Sequence, residues 1–302
     1  MEKTIGSDKL VTTAWLEENL DKPSIRIVEV SDMRDPKIYF EGHIHGAVYW
    51  PWQESLWHPT DREFVSPEDL SQLMEKSGIG HGTTIIFYSN SPQFSTYAFW
   101  ICTMRGHSNA KILNGDRPLW IRENRPMTKE LPTIEPVSYP LREIDERWKI
   151  GRREVLAGLD NPDRVLLDLR AREEYIGERV SPKIDVFKDV DFGAYRKGHI
   201  PGAKHLYYGE FFNEDGTYKT PEKLQESFDS RGATRDREIV TYCRLSHRAS
   251  MGWFVAVYLL GYANVKVYDG SWTEWGNIVG YPIANESLKE KGVPYIRQLT
   301  RY

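Results

Sequence analysis

The sequence contains one unit twice, and this repeat limits the possible folds more than any other feature. The hexapeptide GHIHGA at 42–47 returns as GHIPGA at 198–203. A second series of landmarks follows each hexapeptide at almost the same spacing: Gly106, Asn109, Lys111, Gly115 and Trp120 match Gly261, Asn264, Lys266, Gly270 and Trp275. Since the 302 residues also suit two domains of about 150 residues each, we expect two domains of the same fold.

The composition excludes several classes of protein. With 40 basic and 44 acidic residues the net charge is −4, whereas a nucleic-acid-binding domain carries a basic face. The longest apolar run, Met251–Leu260, is shorter than the roughly 18 residues of a membrane span. The first residues carry no export signal, and the two cysteines, Cys102 and Cys243, form no disulfide framework. We therefore expect a cytoplasmic protein that binds neither nucleic acid nor membrane.

Each copy alternates short apolar strands with helices, which predicts the α/β class. Helices are expected near Phe94–Arg105 and at Ala249–Leu260, and each is followed by a glycine that suits a helix end. This order predicts a mainly parallel sheet with helices on both faces in each domain. The predicted strands are Arg26–Val30, Thr84–Tyr88, Arg164–Leu169, Glu238–Tyr242 and Val265–Tyr268.

Prolines mark the boundary between the two domains. Four of them punctuate the polar stretch 126–149, where proline disfavours both helix and central strand. We therefore assign residues 1–125 to the first domain, 126–149 to a linker and 150–302 to the second domain. The second copy also carries about seventeen additional residues at Gly177–Gly193, which we expect to form an excursion at the surface.

The segment Cys243–Arg248 is the part of the sequence that points most directly to chemistry. It joins a predicted strand to a predicted helix, where open α/β sheets place their ligand sites. The helix N-terminus offers unpaired N–H groups and partial positive charge, and Arg244, His247 and Arg248 add cationic side chains. These features favour the thiolate and predict a pKa for Cys243 below the roughly 8.5 of a free cysteine. An inert, buried thiol is the alternative, and it is the interpretation that we assign to Cys102 in its apolar helix.

On these motifs the chain resembles the tandem-domain rhodaneses, the thiosulfate sulfurtransferases, over nearly its whole length. The matching features are the doubled domain, the Asp-x-Arg strand end at 168–170, the GHIPGA turn, the Cys-x-x-x-x-Arg loop at 243–248 and the DGSWTEW segment at 269–275. In that family the second domain is catalytic and the first lacks the cysteine. Tyr88-Ser89-Asn90 stands in the place of Tyr242-Cys243-Arg244 and agrees with that pattern.

The resemblance implies a covalent mechanism without metal or organic cofactor. The Cys243 thiolate would attack the sulfane sulfur of thiosulfate, sulfite would leave, and backbone amides of residues 244–248 would hold the persulfide. Cyanide, a cellular thiol or a thiol-bearing protein would then accept the sulfur. The substrate-binding residues predicted beside the catalytic Cys243 are Arg244, Leu245, Ser246, His247, Arg248, Glu174 and Trp272.

Two alternatives stay open beside this interpretation, and a third, a phosphatase, is disfavoured by the length of the loop. Phosphatases of a similar fold place five residues between cysteine and arginine, whereas Cys243 and Arg248 enclose four, a smaller ring that suits a single sulfur atom. Mercaptopyruvate sulfurtransferases carry a small, neutral loop, whereas this loop is cationic, which favours an inorganic dianion. A persulfide relay or binding protein would accept sulfur from a partner and turn over thiosulfate only incidentally.

Glu174 departs from the vertebrate enzymes, in which an arginine at this position helps to bind thiosulfate. We hypothesise that Glu174 orients Arg248 by paired hydrogen bonds, which leaves Arg244 and His247 to meet the donor. The histidines of the first hexapeptide, His43 and His45, could suggest a metal site. The matching residues of the second copy are His199 and Pro201, so the pair is not repeated and we predict no metal site. A turn histidine bonded to the backbone is the favoured interpretation.

Overall fold

The computed structural model describes residues 8–31, 37–140, 144–182 and 193–289. Its contacts divide the chain into two compact units. Unit 1 comprises Met1–Asp145 together with Phe212–Lys219, and unit 2 comprises Glu146–Phe211 together with Thr220–Tyr302. No helix in the described part of the chain is long and apolar enough to cross a membrane.

Unit 1 is built on a five-stranded sheet in which every pairing is parallel, in the order β1-β5-β4-β2-β3. The residues 85–88 of strand β4 are all buried, which indicates that both faces of the sheet are covered there, as expected for a parallel sheet between helical layers. The strands are β1 (Leu10–Val11), β2 (Ile25–Ser31), β3 (Val48–Pro51), β4 (Thr84–Tyr88) and β5 (Ala110–Leu113). The helices are α1 (Thr13–Glu17), α2 (Lys37–Glu41), α3 (Trp52–Leu56), α4 (Pro67–Lys76), α5 (Pro92–Met104) and α6 (Asp116–Arg122).

Unit 2 repeats this topology with strands in the order β6-β10-β9-β7-β8, again parallel throughout. Its strands are β6 (Lys149–Ile150), β7 (Arg164–Asp168), β8 (Lys204–His205), β9 (Glu238–Tyr242) and β10 (Val265–Tyr268). Its α-helices are α7 (Arg152–Ala157), α8 (Arg172–Ile176), α9 (Pro221–Asp229), α10 (His247–Phe254), α11 (Ser271–Trp275) and α12 (Glu286–Lys289). In the described part of this unit, 3-10 turns lie at Glu146–Trp148 and Tyr208–Phe211.

The predicted fold class is confirmed, and several predicted bounds match to the residue. Strands β4, β9 and β10 coincide with their predictions, and Gly106 and Gly261 take positive φ values of 83° and 72° after the central helices. The helix predicted at Ala249–Leu260 differs, because it is α-helical from His247 to Phe254 and continues as a π-helix over Val255–Leu259. There Leu260 N donates to Val255 O, five residues earlier, which widens the final turn.

The turn that contains the repeated hexapeptide is stabilised in the same way in both units. His43 Nδ1 lies 2.9 Å from Tyr39 O, and His199 Nδ1 lies 2.8 Å from Tyr175 O. Each histidine ring stacks on that tyrosine at an interplanar angle of 10°. The interpretation of these residues as backbone-bonded turn histidines is confirmed.

One short hairpin of unit 1 comes from a distant part of the chain. In this hairpin Asn213 N bonds Thr217 O at 2.8 Å, and Tyr218 N donates to Asn114 Oδ1 at 2.9 Å, beyond the end of β5. Phe212–Lys219 therefore packs within unit 1, although it lies in sequence between two elements of unit 2. The proposed surface excursion at Gly177–Gly193 falls largely outside the described residues, since 183–192 are among those not described.

Candidate active site

Cys243 lies at the carboxyl end of the central strand of unit 2. Strand β9 is flanked by β10 on one side and β7 on the other, so the segments that follow all three strands meet at this edge of the sheet. The segment after β9 is the cysteine loop, the segment after β7 leads to α8, and the segment after β10 leads to α11. The side chain of Cys243 is buried, with 1% of its surface exposed.

The turn that begins α11 holds the first residues of the cysteine loop through the backbone. Cys243 N donates to Ser271 Oγ at 3.2 Å, and Trp272 N donates to Cys243 O at 2.9 Å. Thr273 N donates to Arg244 O at 3.1 Å. Cys243 is therefore held through its own main-chain N–H and C=O groups, and its thiol takes part in none of these bonds.

Ser246 gives the loop its curvature before α10 begins. It is the N-cap of α10 and has a φ of +66°, a conformation that is uncommon for residues other than glycine. Its hydroxyl donates to Asp269 Oδ1 at 2.7 Å, while its carbonyl accepts the first helical bond from Ser250 N at 2.9 Å. The N–H groups of the first helical turn precede that bond, so the positive end of α10 faces the loop.

Glu174 and Arg248 form a buried ion pair at the far end of the loop. Arg248 Nη1 donates to Glu174 Oε2 at 2.6 Å and Nη2 donates to Oε1 at 2.9 Å, the paired geometry that we hypothesised. Glu174 is itself positioned by Ala171 N, which donates to Oε2 at 3.1 Å. Burial works against the charged guanidinium, but Glu174 outweighs it, so the pKa of Arg248 is raised above its ordinary value. Each terminal nitrogen of Arg248 thus donates one hydrogen bond to Glu174.

The other predicted loop residues differ in accessibility. Arg244 and Leu245 are half-buried, whereas Ser246 and His247 are buried. Arg244 extends beside Gly193, where an added Cβ would stand 3.3 Å from Nη1. The structure therefore leaves Arg244 as the more accessible of the loop's cationic side chains.

Trp272 lies beneath the site and not on its accessible surface. Its side chain is fully buried, and Nε1 donates to Arg196 O at 3.0 Å. The guanidinium carbon of Arg170 lies 4.6 Å from the centre of the Trp272 ring. Packing is the role that these contacts define, and a direct contact with substrate stays a prediction.

Sequence reasoning used the Asp-x-Arg motif only as a mark of the family and missed its structural task. Arg170 is fully buried, and its Nη2 donates to Asp168 Oδ2 at 2.6 Å and to Gly198 O at 2.7 Å. The motif therefore ties the end of β7 to the GHIPGA turn. The signal available in the sequence was an acid and an arginine on either side of an apolar leucine at a strand end, which could have predicted a buried ion pair. Ser271 and Asp269 were also missed, although the quoted DGSWTEW segment contains both.

Cys102 lies within a helix, and not between a strand end and a helix N-terminus as Cys243 does. It is fully buried inside α5, and burial raises the pKa of its thiol. Among the described residues no group of three histidine, cysteine or acidic side chains is arranged to hold a metal ion.

Comparison with known proteins places this site in a family. The model of the rhodanese-like domain matches the chain twice, at residues 12–123 and 152–278. Sulfur carrier protein TtuD of Thermus thermophilus is 42% identical over 279 residues, which cover 91% of this chain and 96% of that protein. A protein of Saccharopolyspora erythraea, named "Putative thiosulfate sulfurtransferase", is 38% identical over 277 residues, covering 91% of this chain and 96% of that one.

Solved structures share the fold over most of the chain. Wild-type EanB superposes with a TM-score of 0.80 at 24% identity, covering 94% of this chain and 71% of EanB. YnjE superposes with a TM-score of 0.79 at 24% identity, covering 92% of this chain and 68% of YnjE.

The fold and the site thus define a two-domain α/β protein of the sulfurtransferase class. The chain belongs to the rhodanese-like family, in its tandem-domain form.

Proposed function

We propose that the protein is a thiosulfate sulfurtransferase that carries sulfur as a persulfide on Cys243. The observation that supports this most strongly is the cysteine loop itself. It places one cysteine at the carboxyl end of the central strand, before the N-terminus of α10, with its backbone bonded to the turn of α11. Such a site favours a thiolate and an anionic electrophile.

The proposed first step is sulfur transfer from thiosulfate. The Cys243 thiolate attacks the outer sulfur, an S–S bond forms to Cys243, the S–S bond of thiosulfate breaks, and sulfite leaves with the bonding electron pair. In the second step cyanide attacks the terminal sulfur, thiocyanate leaves, and the Cys243 thiolate is restored. Each step conserves charge and requires no external oxidant or reductant, so the persulfide itself is the carried group and no cofactor is invoked.

The loop residues take distinct roles in this proposal. Arg248 is neutralised by Glu174 and shapes the loop, while Arg244 and His247 attract the dianionic donor. Ser246 and the amides of residues 244–248 surround the terminal sulfur, with Leu245 at the rim and Trp272 packed below. Because only four residues separate Cys243 from Arg248, we expect this ring to exclude phosphate and to suit a single sulfur atom.

A second candidate function is a sulfur relay, in which a protein persulfide supplies Cys243 and a thiol-bearing protein receives the sulfur. It is favoured by the 42% identity to a protein named as a sulfur carrier. The two functions share the same covalent intermediate, and they differ in the donor that loads it fastest. Comparing the rate of Cys243 loading by thiosulfate and by a persulfidated protein separates them.

The decisive experiment is intact-protein mass spectrometry. We expect the mass to rise by one sulfur atom after thiosulfate and to return after cyanide. Cys243→Ser should show neither change, and Cys102→Ser, the matched control, should show both. A wild-type protein that gains no sulfur from thiosulfate contradicts the thiosulfate proposal.

A further inference from the structure

Two adjacent tyrosines, Tyr207 and Tyr208, reach the same edge of the sheet as Cys243 from a different strand. Beyond β8, Leu206 N donates to Asp168 O at 3.0 Å and Tyr208 N donates to Leu169 O at 3.3 Å. On the other side of Leu169, its own N–H donates to Tyr242 O at 2.9 Å. The tyrosines are therefore two strand spacings, about 10 Å, from the cysteine loop, within reach of a phenol and a small donor.

The phenol of Tyr208 lies in the field of the buried ion pair. The charges of Arg248 and Glu174 both act on it, and so does the neighbouring phenol of Tyr207. Burial is the main reason that the pKa of Tyr208 is raised to about 12. The Tyr208 phenol therefore stays protonated at neutral pH and is a hydrogen-bond donor that carries no charge.

Tyr207 provides the more exposed half of this pair. Its residue is 38% exposed, and its ring meets that of Tyr208 edge to face at 4.7 Å. A Cβ added at Gly209 would stand 2.4 Å from a ring carbon of Tyr207, so glycine at 209 leaves the space that the ring occupies. The position of the Tyr207 ring thus depends on the absence of a side chain at residue 209.

The Arg248–Glu174 pair explains why such donors are needed. Arg248 Nη1 and Nη2 each donate one hydrogen bond to Glu174, and the charge of Glu174 offsets that of Arg248, so the pair attracts an anionic sulfonate group less than an unpaired arginine would. In unit 1 the positions that follow the matching turn are Pro51 and Trp52, which carry no hydroxyl group. The phenols therefore occur in the unit that has the cysteine and not in the unit that lacks it.

We propose that Tyr207 and Tyr208 act as one specificity-determining pair that hydrogen-bonds the oxygen atoms of the sulfur donor while Cys243 attacks its outer sulfur. This inference rests on the proposed function and narrows the substrate class. The site would favour sulfane-sulfur donors that carry an oxygen-rich anionic group, such as thiosulfate, over donors that consist of sulfur alone.

The test compares two donors on purified full-length protein. Thiosulfate carries the oxygen atoms that the phenols would bind, and inorganic polysulfide carries none. For Tyr208→Phe and Tyr207→Phe we expect KM for thiosulfate to rise about tenfold or more, since a hydrogen bond to a charged group is worth roughly 1.5–3 kcal/mol. Loading of Cys243 by polysulfide should stay within about twofold of wild type.

Further variants separate a binding role from a structural one. The double variant should be little worse than either single variant, because the two phenols act as a unit. Gly209→Ala keeps both hydroxyls and displaces the Tyr207 ring, so it should raise KM for thiosulfate in the same selective way. If Tyr208→Phe weakens loading by both donors equally, or by neither, the inference is wrong. A wild-type protein that polysulfide loads and thiosulfate does not would instead overturn the proposed function.

Discussion

The two units use the same scaffold, but they assemble its buried ion pair from different positions in the chain. In unit 2 the guanidinium comes from Arg170, two residues after the acid Asp168, and it also bonds Gly198 O. In unit 1 it comes from Arg117 at the start of α6, which pairs with Glu29 at 2.9 Å and bonds Gly42 O. Trp272 occupies the position in unit 2 that Arg117 occupies in unit 1.

This exchange shows what the fold requires and what it leaves free. A cation between the acid of the second strand and the carbonyl of the hexapeptide turn is present in both units, so it belongs to the architecture. Tyr88 and Tyr242 likewise each accept an N–H from that turn, from Ile44 and Ile200, at 3.1 Å. The loop after the central strand differs, because Cys243 in unit 2 is replaced by Ser89 in unit 1.

The turn beneath each loop differs in its chemistry as well. In unit 2 Ser271 Oγ accepts the N–H of Cys243 at 3.2 Å. In unit 1 the carboxyl oxygen Oδ1 of Asp116 accepts the N–H of Ser89 at 2.9 Å, and Asp116 and Ser271 both have a φ of +51°. The turn beneath the loop therefore carries a carboxyl group in unit 1 and a hydroxyl group in unit 2, so unit 1 differs from a sulfur-transfer site by more than the missing cysteine.

The largest effect that we predict tests this comparison by moving the cysteine. Cys243→Ser should lose all persulfide formation, and adding Ser89→Cys to that variant should not restore it. The absence of a cationic segment like 244–248 leaves a cysteine at 89 without the groups that stabilise a thiolate. Mass spectrometry after thiosulfate measures both variants, and sulfur gained at position 89 contradicts the explanation.

The next largest effect concerns the two arginines. Arg170→Met should lower the free energy of unfolding by about 3–5 kcal/mol, because it leaves Asp168 buried without its partner. Arg117→Met should have a similar cost through Glu29. Denaturant titration followed by tryptophan fluorescence measures both.

The matched control for the arginine variants is Arg152→Met. Arg152 makes a partly exposed salt bridge with Glu274, and its replacement should cost far less than that of either buried arginine, because exposed ion pairs contribute little to stability. Equal costs for buried and surface arginines contradict the shared architectural role.

The fold and the buried ion pairs also show how much could be predicted from the sequence. The repeat and the alternation of strands and helices predicted the fold class and three strands to the residue. The Glu174–Arg248 contact was predicted because one departure from a family pattern stood out beside a loop arginine.

The exchange of Arg170 for Arg117 could not be predicted. It depends on side chains from distant positions that reach the same point in space, and a repeat comparison aligns neither arginine with the other. Ser246 at a positive φ is similar, since its conformation is imposed by tertiary contacts such as the bond to Asp269 and not by local preference.

A smaller effect should appear in the pH dependence of stability. Burial raises the pKa of Asp116 to about 8, well above the value of about 3.9 in an unfolded chain. Between these values the folded state binds more protons than the unfolded state, so this group makes stability fall as pH rises from about 4 to 8. Asp116→Asn should remove that slope, roughly 1 kcal/mol per pH unit, and still accept the N–H of Ser89.

Urea titrations of wild type and Asp116→Asn at pH 5 and pH 8 check this prediction. The stability difference between the two proteins should grow in favour of the variant as pH rises. Ser271→Ala in unit 2 is the comparison, since a hydroxyl group in the same turn should show no such dependence. Parallel pH profiles for wild type and Asp116→Asn contradict the assignment.

The smallest effect that we predict concerns the Glu174–Arg248 ion pair of the cysteine loop. Unit 1 has no charged pair at this place, because Ile38 and Phe94 stand at the positions that correspond to Glu174 and Arg248. Glu174→Gln keeps the size of the side chain and one acceptor, so the loop should persist while Arg248 loses its paired partner. We expect kcat/KM for thiosulfate to fall about tenfold, the loss of roughly one charge-assisted hydrogen bond. Since the freed guanidinium can now meet the donor, the loss should lie in kcat and not in KM. Steady-state kinetics with thiosulfate and cyanide separates the two constants, and kinetics unchanged from wild type would remove the positioning role of Glu174.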